Sequence, residues 1–123
     1  MDIENTFKTV LDCAFEVHKM LGAGLLEKAY HKCLVYELNK IGLRVESEKV
    51  LPLKYKEINI ESGYRIDILV ENKIILELKA VEELTDTHLA QIITYMKLAN
   101  IKLGLLINFN KRYLKHGIKR VVL

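Results

Sequence analysis

Apolar residues recur at intervals of three and four positions in three parts of the chain, a spacing that predicts three helices. The first helix runs from about residue 3 to residue 20, and the following Leu21-Gly22-Ala23-Gly24 offers glycines that can end it. The second runs from about residue 26 to residue 40 and ends before Gly42. The third runs from about residue 87 to residue 99.

Elsewhere the pattern changes to short apolar or alternating runs, which predict five strands. These strands cover residues 43–55, 64–70, 74–81, 103–109 and 118–123. Pro52 lies within the first of them and favours a sheet edge or a bend, whereas the very apolar fourth run is typical of a strand buried on both faces. The order α-α-β-β-β-α-β-β predicts an α/β fold with a central mixed β-sheet flanked by helices, including at least one parallel pair.

Length and composition narrow the architecture further. The 123 residues, half of them hydrophobic, suffice for a single domain over residues 1–123 whose core needs neither disulfides nor structural zinc. Cys13 and Cys33 lie in helical segments without a CxxC spacing, so we expect free thiols. Since no signal-peptide pattern and no apolar run of about 18 residues is present, we expect a cytoplasmic protein without a membrane span.

Charge is distributed unevenly along the chain, although the net charge is only +3. After Asp86 there is no acidic residue, whereas seven basic residues follow it. A basic last third joined to an acidic remainder is compatible with binding a polyanion while keeping carboxylates for a metal ion. A solvated basic surface would give the same pattern, so charge alone leaves both interpretations open.

Three charged residues interrupt two otherwise apolar strands. Glu77 and Lys79 lie two positions apart in the third strand and therefore share a face, and Asp67 is embedded in the second strand. If the connecting turn is centred on Asn72, Asp67 lies opposite Glu77 on the same face, with Cβ atoms roughly 5 Å apart. A two-residue turn would put the two carboxylates on opposite faces, so a shared site requires an odd-length turn or an equivalent bulge.

Two facing carboxylates repel each other unless a cation lies between them, and Mg²⁺ suits oxygen ligands of this kind. Asp67 and Glu77 would hold the ion, which can activate a water for phosphodiester hydrolysis. Lys79 would orient or deprotonate the water, or stabilise the transition state. The structural alternative is a solvated sheet face on which these residues are ordinary surface charges.

The same residues carry a resemblance to a known family. Asp67 followed by Glu77-Leu78-Lys79 resembles the D…ExK signature of the PD-(D/E)XK nuclease superfamily. Gly24-Leu25-Leu26-Glu27-Lys28-Ala29-Tyr30 matches the motif that names the GxxExxY protein family, and 63–67 and 104–109 are similar to its further blocks. The resemblance covers about residues 21 to 122 and implies a restriction-endonuclease-like fold.

The resemblance also implies a set of site residues. The implied metal ligands for Mg²⁺ or Mn²⁺ are Asp67, Glu77, Glu27 and the backbone carbonyl of Leu78. The implied catalytic residues are Asp67, Glu77, Lys79, Glu27 and Gln91. Gln91 and Tyr95 match a QxxxY element on the third helix, and Tyr95 and His88 are expected to support the residues that touch the metal.

Several of these residues also have structural interpretations. Glu27 would be a first-turn acid favoured by the helix dipole, Gln91 and Tyr95 would form a polar edge of a packed helix, and Tyr30 would serve packing. The basic residues near the end of the chain are expected to contact phosphates without sequence preference. They are Lys111, Arg112, Lys115, Lys119 and Arg120.

The predicted function is therefore a metal-dependent nuclease that hydrolyses DNA, with RNA as the other candidate substrate. The alternative is a catalytically silent module of the same fold that binds nucleic acid or a protein partner. A domain of this size, with no separate recognition domain, is compatible with a homodimer. Other chemistries find no support, because the sequence contains no Walker-type, GxGxxG or HExxH motif.

Overall fold

The structure is a computed structural model that describes residues 1–61 and 63–123. Within them, three helices pack on a five-stranded sheet, and a two-stranded hairpin completes the fold. The helices are α1 (Ile3–Leu21), α2 (Glu27–Lys40) and α3 (Asp86–Ala99). The strands are β1 (Val45–Val50), β2 (Leu53–Tyr55), β3 (Ile58–Ile60), β4 (Arg65–Val70), β5 (Ile74–Lys79), β6 (Leu103–Asn108) and β7 (Ile118–Val122).

The large sheet has the strand order β1-β4-β5-β6-β7. β5 and β6 pair in parallel and are joined by α3, whereas the other neighbours are antiparallel. This mixed sheet confirms the predicted α/β class and its crossover helix. The predicted strand 43–55 is wrong in one respect, since it divides at Leu51 and Pro52 into edge strand β1 and the hairpin strand β2. A proline cannot donate to a strand ladder, which accounts for the break.

Two apolar clusters hold the helices against opposite faces of the sheet. α1 and α2 cover one face, where Tyr30 and Leu34 pack with sheet residues such as Leu76. α3 covers the other face through residues such as Ile92 and Met96. Every residue of β6 is buried, as predicted for a strand covered on both sides. The two clusters thereby support the end of the sheet at which β5 and β6 terminate.

The turn between β4 and β5 sets the register that the site requires. Glu71 and Asn72 both adopt left-handed backbone conformations, with φ of 52° and 54°. Ile68 pairs with Leu76, and Val70 pairs with Ile74, so the turn has three residues and is centred on Asn72, which is the odd-length turn that a shared site requires. Asp67 and Glu77 are consequently the next residues beyond the Ile68–Leu76 pair, on the side away from the turn, and they lie on the same face of the hairpin.

Two further features concern the helices and the cysteines. No helix among the described residues combines the length and the apolar character needed to cross a membrane. Cys13 is buried and Cys33 is half-buried, and both are free thiols.

Candidate metal centre

Asp67 and Glu77 lie where strands β4 and β5 separate. The N–H of Asp67 donates to Oε2 of Glu77 at 2.9 Å, and the N–H of Leu78 donates to Oδ2 of Asp67 at 2.8 Å. Each carboxylate therefore accepts a backbone N–H of the neighbouring strand, in the place of a backbone carbonyl, and this hydrogen bond holds the side chain in position. Within the described chain, no hydrogen bond reaches Oδ1 of Asp67 or Oε1 of Glu77.

This pair of carboxyl groups is poorly suited to carrying two negative charges without a cation. Glu77 is only 2% exposed. Burial, followed by the nearby charge of Asp67, raises the pKa of Glu77 to about 8. Burial also raises the pKa of Asp67, although the hydrogen bond from Leu78 and the charge of Lys79 act against this shift. In the metal-free protein, burial and the charge of Asp67 therefore favour the protonated form of Glu77.

Lys79 is positioned by helix α3. Its Nζ donates to Oε1 of Gln91 at 3.0 Å, and Nε2 of Gln91 donates to the hydroxyl of Tyr95 at 3.2 Å. Gln91 and Tyr95 are four residues apart and so lie on one face of the helix. The Lys79–Gln91–Tyr95 chain aligns the ammonium group beside the carboxylates, whose pKa values it lowers.

His88 has a different place from the other predicted residues of α3. Its Nδ1 accepts the N–H of Thr85 at 3.0 Å, while the Thr85 hydroxyl accepts the N–H of His88 at 3.4 Å. This reciprocal capping box satisfies two backbone donors at the start of the helix. His88 thus lies in the cap of α3, one turn before Gln91.

Glu27 reaches the site from the first turn of α2. Desolvation raises its pKa first, and the charge of Asp67 raises it next, while Lys79 lowers it. The loop before Glu27 contains Gly24 at a φ of +99°, a conformation that glycine adopts without strain. The sequence therefore turns sharply just before a helix whose first residue points its charge towards the strand carboxylates.

Tyr30 fixes that loop from inside the protein. Its ring is fully buried and stacks on Phe109 with centroids 4.6 Å apart. Its hydroxyl donates to the carbonyl of Gly22 at 2.6 Å and accepts the N–H of Leu25 at 3.1 Å. Tyr30 thus links the loop before Glu27 to the residue that follows β6.

His31 and Glu48 belong to the same region but were missed in the sequence. Ligand atoms of His31, Glu48 and Asp67 lie within 4.8 Å of one another. Glu48 has a left-handed φ of 53° and lies between Ser47 and Lys49, which pair with Ile68 and Ile66 on either side of Asp67. His31 follows Glu27 by four residues, a helical spacing that could have indicated a shared face. Glu48 could not be placed without knowing that β1 pairs with β4.

Asn108 was also missed, although it is the single polar side chain in strand β6. It is fully buried. Its Oδ1 accepts the N–H groups of Val81 and Asn110, each at 3.1 Å, and its Nδ2 donates to the carbonyl of Val81 at 2.9 Å. Asn108 therefore ties together the two loops that leave the site edge of the sheet.

The structure brings together only some of the five predicted phosphate-contact residues. Lys111, Arg112 and Lys115 belong to the loop after β6. Arg112 and Lys115 line a cavity of about 320 Å³ together with His18 and Lys19. Lys111 forms an ion pair with Glu83 at 2.6 Å. This loop begins at the edge of the sheet that holds Lys79, because the N–H of Phe109 donates to the carbonyl of Lys79.

Arg120 and Lys119 lie apart from that loop. Arg120 pairs with Glu4 at 2.8 Å and lies over the ring of Phe7, near the start of α1. The loop contacts α1 at His18, eleven residues further on and therefore roughly 16 Å away along the helix. Lys119 precedes Arg120 in β7 and so faces the opposite side of the sheet.

The donor set fits a divalent metal ion. Asp67, Glu77 and Glu27 offer carboxylate oxygens, the ligands that Mg²⁺ and Mn²⁺ prefer. Oδ1 of Asp67 and Oε1 of Glu77 are available, and a cation would favour the charged form of both carboxyl groups, whose pKa values are raised first by burial and then by neighbouring acids. Among the described residues, the group whose ligand atoms lie within 4.8 Å of one another is His31, Glu48 and Asp67, and neither Glu77 nor Glu27 belongs to it. The side chain of Leu78 is buried in the core, so only its backbone carbonyl could serve as a ligand.

A known protein family matches the chain over most of its length. The family profile described as PD-(D/E)XK nuclease superfamily matches residues 4–121. No curated protein and no solved structure matches the chain. The match includes both strands that carry the carboxylates and all three helices around them. On this basis, the chain belongs to the PD-(D/E)XK nuclease superfamily.

Proposed function

We propose that the protein is a metal-dependent nuclease that hydrolyses phosphodiester bonds of DNA, with RNA as the other candidate substrate. The observation that carries this proposal is the mutual fixing of Asp67 and Glu77 by each other's strands. A solvated sheet face would leave these side chains in water, whereas Glu77 is 2% exposed. Burying two acids side by side is unfavourable unless the site serves a cation.

Asp67, Glu77 and Glu27 would hold Mg²⁺ or Mn²⁺, with the carbonyl of Leu78 as a further ligand. The bound metal would supply Lewis acidity towards a phosphoryl oxygen and would lower the pKa of a water. The hydrogen bonds from Asp67 and Leu78 backbone groups keep one oxygen of each strand carboxylate turned away from the ligand position. The other oxygens are thereby held ready without a change of side-chain conformation.

Lys79 would stabilise the negative charge that develops on the phosphoryl group and would orient the attacking water. Its partner Gln91 is neutral, so the ammonium charge is not cancelled by the residue that positions it. A fixed cation of this kind requires little reorganisation during the reaction. Gln91 and Tyr95 are positioning residues in this scheme, and His88 supports them through the cap of α3.

The remaining expectations become part of the same proposal. The turn at Gly24, the acid Glu27 and the buried hydroxyl of Tyr30 support assignment to the GxxExxY group. One continuous sheet supports a single domain over residues 1–123. Two free cysteines support a cytoplasmic location, and a homodimer completes the proposal. Phosphate contacts are proposed for Lys111, Arg112, Lys115, Lys119 and Arg120.

The test is cleavage of a panel of single- and double-stranded DNA and RNA with Mg²⁺, with Mn²⁺ and with EDTA. We expect cleavage only with a divalent ion, and none by a Glu77→Ala, Lys79→Ala double variant. Glu82→Gln, an exposed acid outside the site, serves as the matched control and should cleave normally. Equal cleavage by wild type and double variant would refute the assignment. Binding without cleavage would identify the non-catalytic module instead.

A further inference from the structure

A groove of about 450 Å³ lies between the β2 hairpin, the start of β4 and helix α3. Its walls are mainly apolar or aromatic and are formed by Leu53, Tyr64, Tyr95 and Leu98. Gln91 and Thr94 add hydrogen-bonding groups, and none of the described residues that line the groove is acidic. The hydrolytic chemistry proposed above leaves the groove unassigned, although its volume is in the range of small-molecule sites.

Two tyrosines form the part of the groove nearest to the carboxylates. The rings of Tyr64 and Tyr95 have centroids 6.1 Å apart and planes inclined by 50°. Tyr95 is almost completely buried and bound by Gln91, so it forms a fixed wall. Tyr64 is 51% exposed and offers much of its ring to a ligand. Half-exposed rings in an apolar groove are suited to stacking with a flat aromatic molecule.

The groove is continuous with the candidate metal centre. Gln91 lines the groove and also accepts the hydrogen bond of Lys79. Tyr64 precedes Asp67 by three residues in extended chain, which places their Cα atoms at most about 10 Å apart. When a phosphate of the substrate lies beside Lys79, the base of the same nucleotide or of the next one would therefore lie at the mouth of the groove.

We propose that this groove binds an unpaired nucleobase of the substrate strand, stacked on Tyr64, so that the substrate class is single-stranded or frayed nucleic acid. The inference rests on the proposed nuclease function, because it assigns the phosphate to the adjacent site. Stacking selects against duplexes, since a paired base already has neighbours on both faces and must leave the helix to enter. It is also tolerant of sequence, because every base has a π-face.

The test measures binding in EDTA by fluorescence anisotropy, so that cleavage does not enter the result. The probes are a 12-nucleotide DNA single strand, its duplex, and an abasic strand of the same length and charge. Tyr64→Leu removes the ring but keeps apolar volume, and Tyr64→Phe is the matched control that keeps the ring. Ala90→Leu fills the groove from an exposed position of α3 and leaves the core untouched.

We expect Tyr64→Leu and Ala90→Leu to weaken single-strand binding roughly tenfold, with duplex binding changed less than twofold. Tyr64→Phe should bind as wild type. Wild type should prefer the normal strand to the abasic strand, and Tyr64→Leu should lose that preference. The inference is overturned if Tyr64→Leu weakens both DNA forms equally, leaves single-strand binding unchanged, or retains the preference over the abasic strand.

The cleavage assay separates this inference from the proposed function. Divalent-dependent cleavage combined with unchanged binding by Tyr64→Leu would remove the groove proposal and leave the nuclease intact. Base-dependent binding without any cleavage would remove the nuclease proposal and leave the groove proposal intact. Thermal unfolding of each variant shows whether the fold is preserved, and Ala90→Leu remains informative even where Tyr64→Leu does not fold.

Discussion

Glu77→Gln isolates the energetic consequence of burying an acid at this site. Glutamine has nearly the same shape, and its side-chain oxygen can still accept the N–H of Asp67. Burial, with the charge of Asp67, raises the pKa of Glu77 from 4.5 to about 8. Below pH 4.5 the group is protonated in both the folded and the unfolded chain, so it has no effect on stability there.

Between pH 4.5 and 8, the unfolded chain loses the Glu77 proton while the folded protein retains it. The unfolded state then binds fewer protons, and the free energy of unfolding falls by about 1.4 kcal/mol per pH unit. The loss reaches about 3 kcal/mol at pH 7 and about 5 kcal/mol above pH 8. Glu77→Gln removes this loss, so it should stabilise the metal-free protein increasingly as the pH rises.

Guanidinium unfolding in EDTA at pH 4.5, 7 and 8.5 measures this effect. The stability difference between Glu77→Gln and wild type should be near zero at the lowest pH and approach about 5 kcal/mol at the highest. Glu82→Gln, an exposed control, should leave stability unchanged at every pH. A difference independent of pH, or a variant less stable than wild type at pH 8.5, would refute the assignment of a raised pKa to Glu77.

Three further predictions concern the surroundings of the site. Tyr30→Phe leaves two backbone groups of the loop before Glu27 without their partner, so it should lower the free energy of unfolding by about 1–3 kcal/mol and weaken Mn²⁺ binding in calorimetry; unchanged values would contradict the bracing role. Gly117→Ala places a Cβ in collision with the backbone oxygen of Asn108 and should cost about 3 kcal/mol in thermal unfolding; wild-type stability would contradict the close approach. Lys79→Met should lower kcat by about 10²–10³ at saturating Mn²⁺, because it removes the charge that would stabilise the transition state and no metal ligand; wild-type kcat under these conditions would contradict its role at the transition state.

Much of the sheet could be predicted because its pattern is local. The run from Ile74 to Lys79 predicted strand β5, whereas the β4–β5 register depended on the length of the turn, and the structure has the register of a turn centred on Asn72. An edge or a bend was predicted at Pro52, but not that the chain divides there into two strands that belong to different sheets. Strand β3 was missed because its three residues are exposed and contribute no burial pattern.

The candidate site was predictable only as far as its residues break an apolar pattern. Asp67, Glu77 and Lys79 stand out because a buried strand seldom carries charge without a reason. Glu48 looks like any exposed acid of an edge strand until β1 is paired with β4. The groove at Tyr64 was likewise hidden, because it depends on how the hairpin and α3 meet.

The distribution of the basic residues shows a similar limit of sequence reasoning. Lys111, Arg112 and Lys115 are close in sequence and share a loop, so their common position follows from the chain itself. Arg120 is equally close in sequence to Lys119, but alternation along β7 turns the two side chains to opposite faces. A count of charge in the last third of the chain therefore overstates the size of the basic surface beside the site.

Anomalous scattering from crystals soaked with Mn²⁺ tests the central claim most directly, because it locates the metal without requiring a substrate. We predict an anomalous peak between Oδ1 of Asp67 and Oε1 of Glu77 in the wild-type crystal. The peak should be lost in a Glu77→Gln variant whose structure is otherwise unchanged. A wild-type crystal that shows no peak there, or shows Mn²⁺ only elsewhere on the protein, would contradict the claim that these two carboxylates form a metal centre.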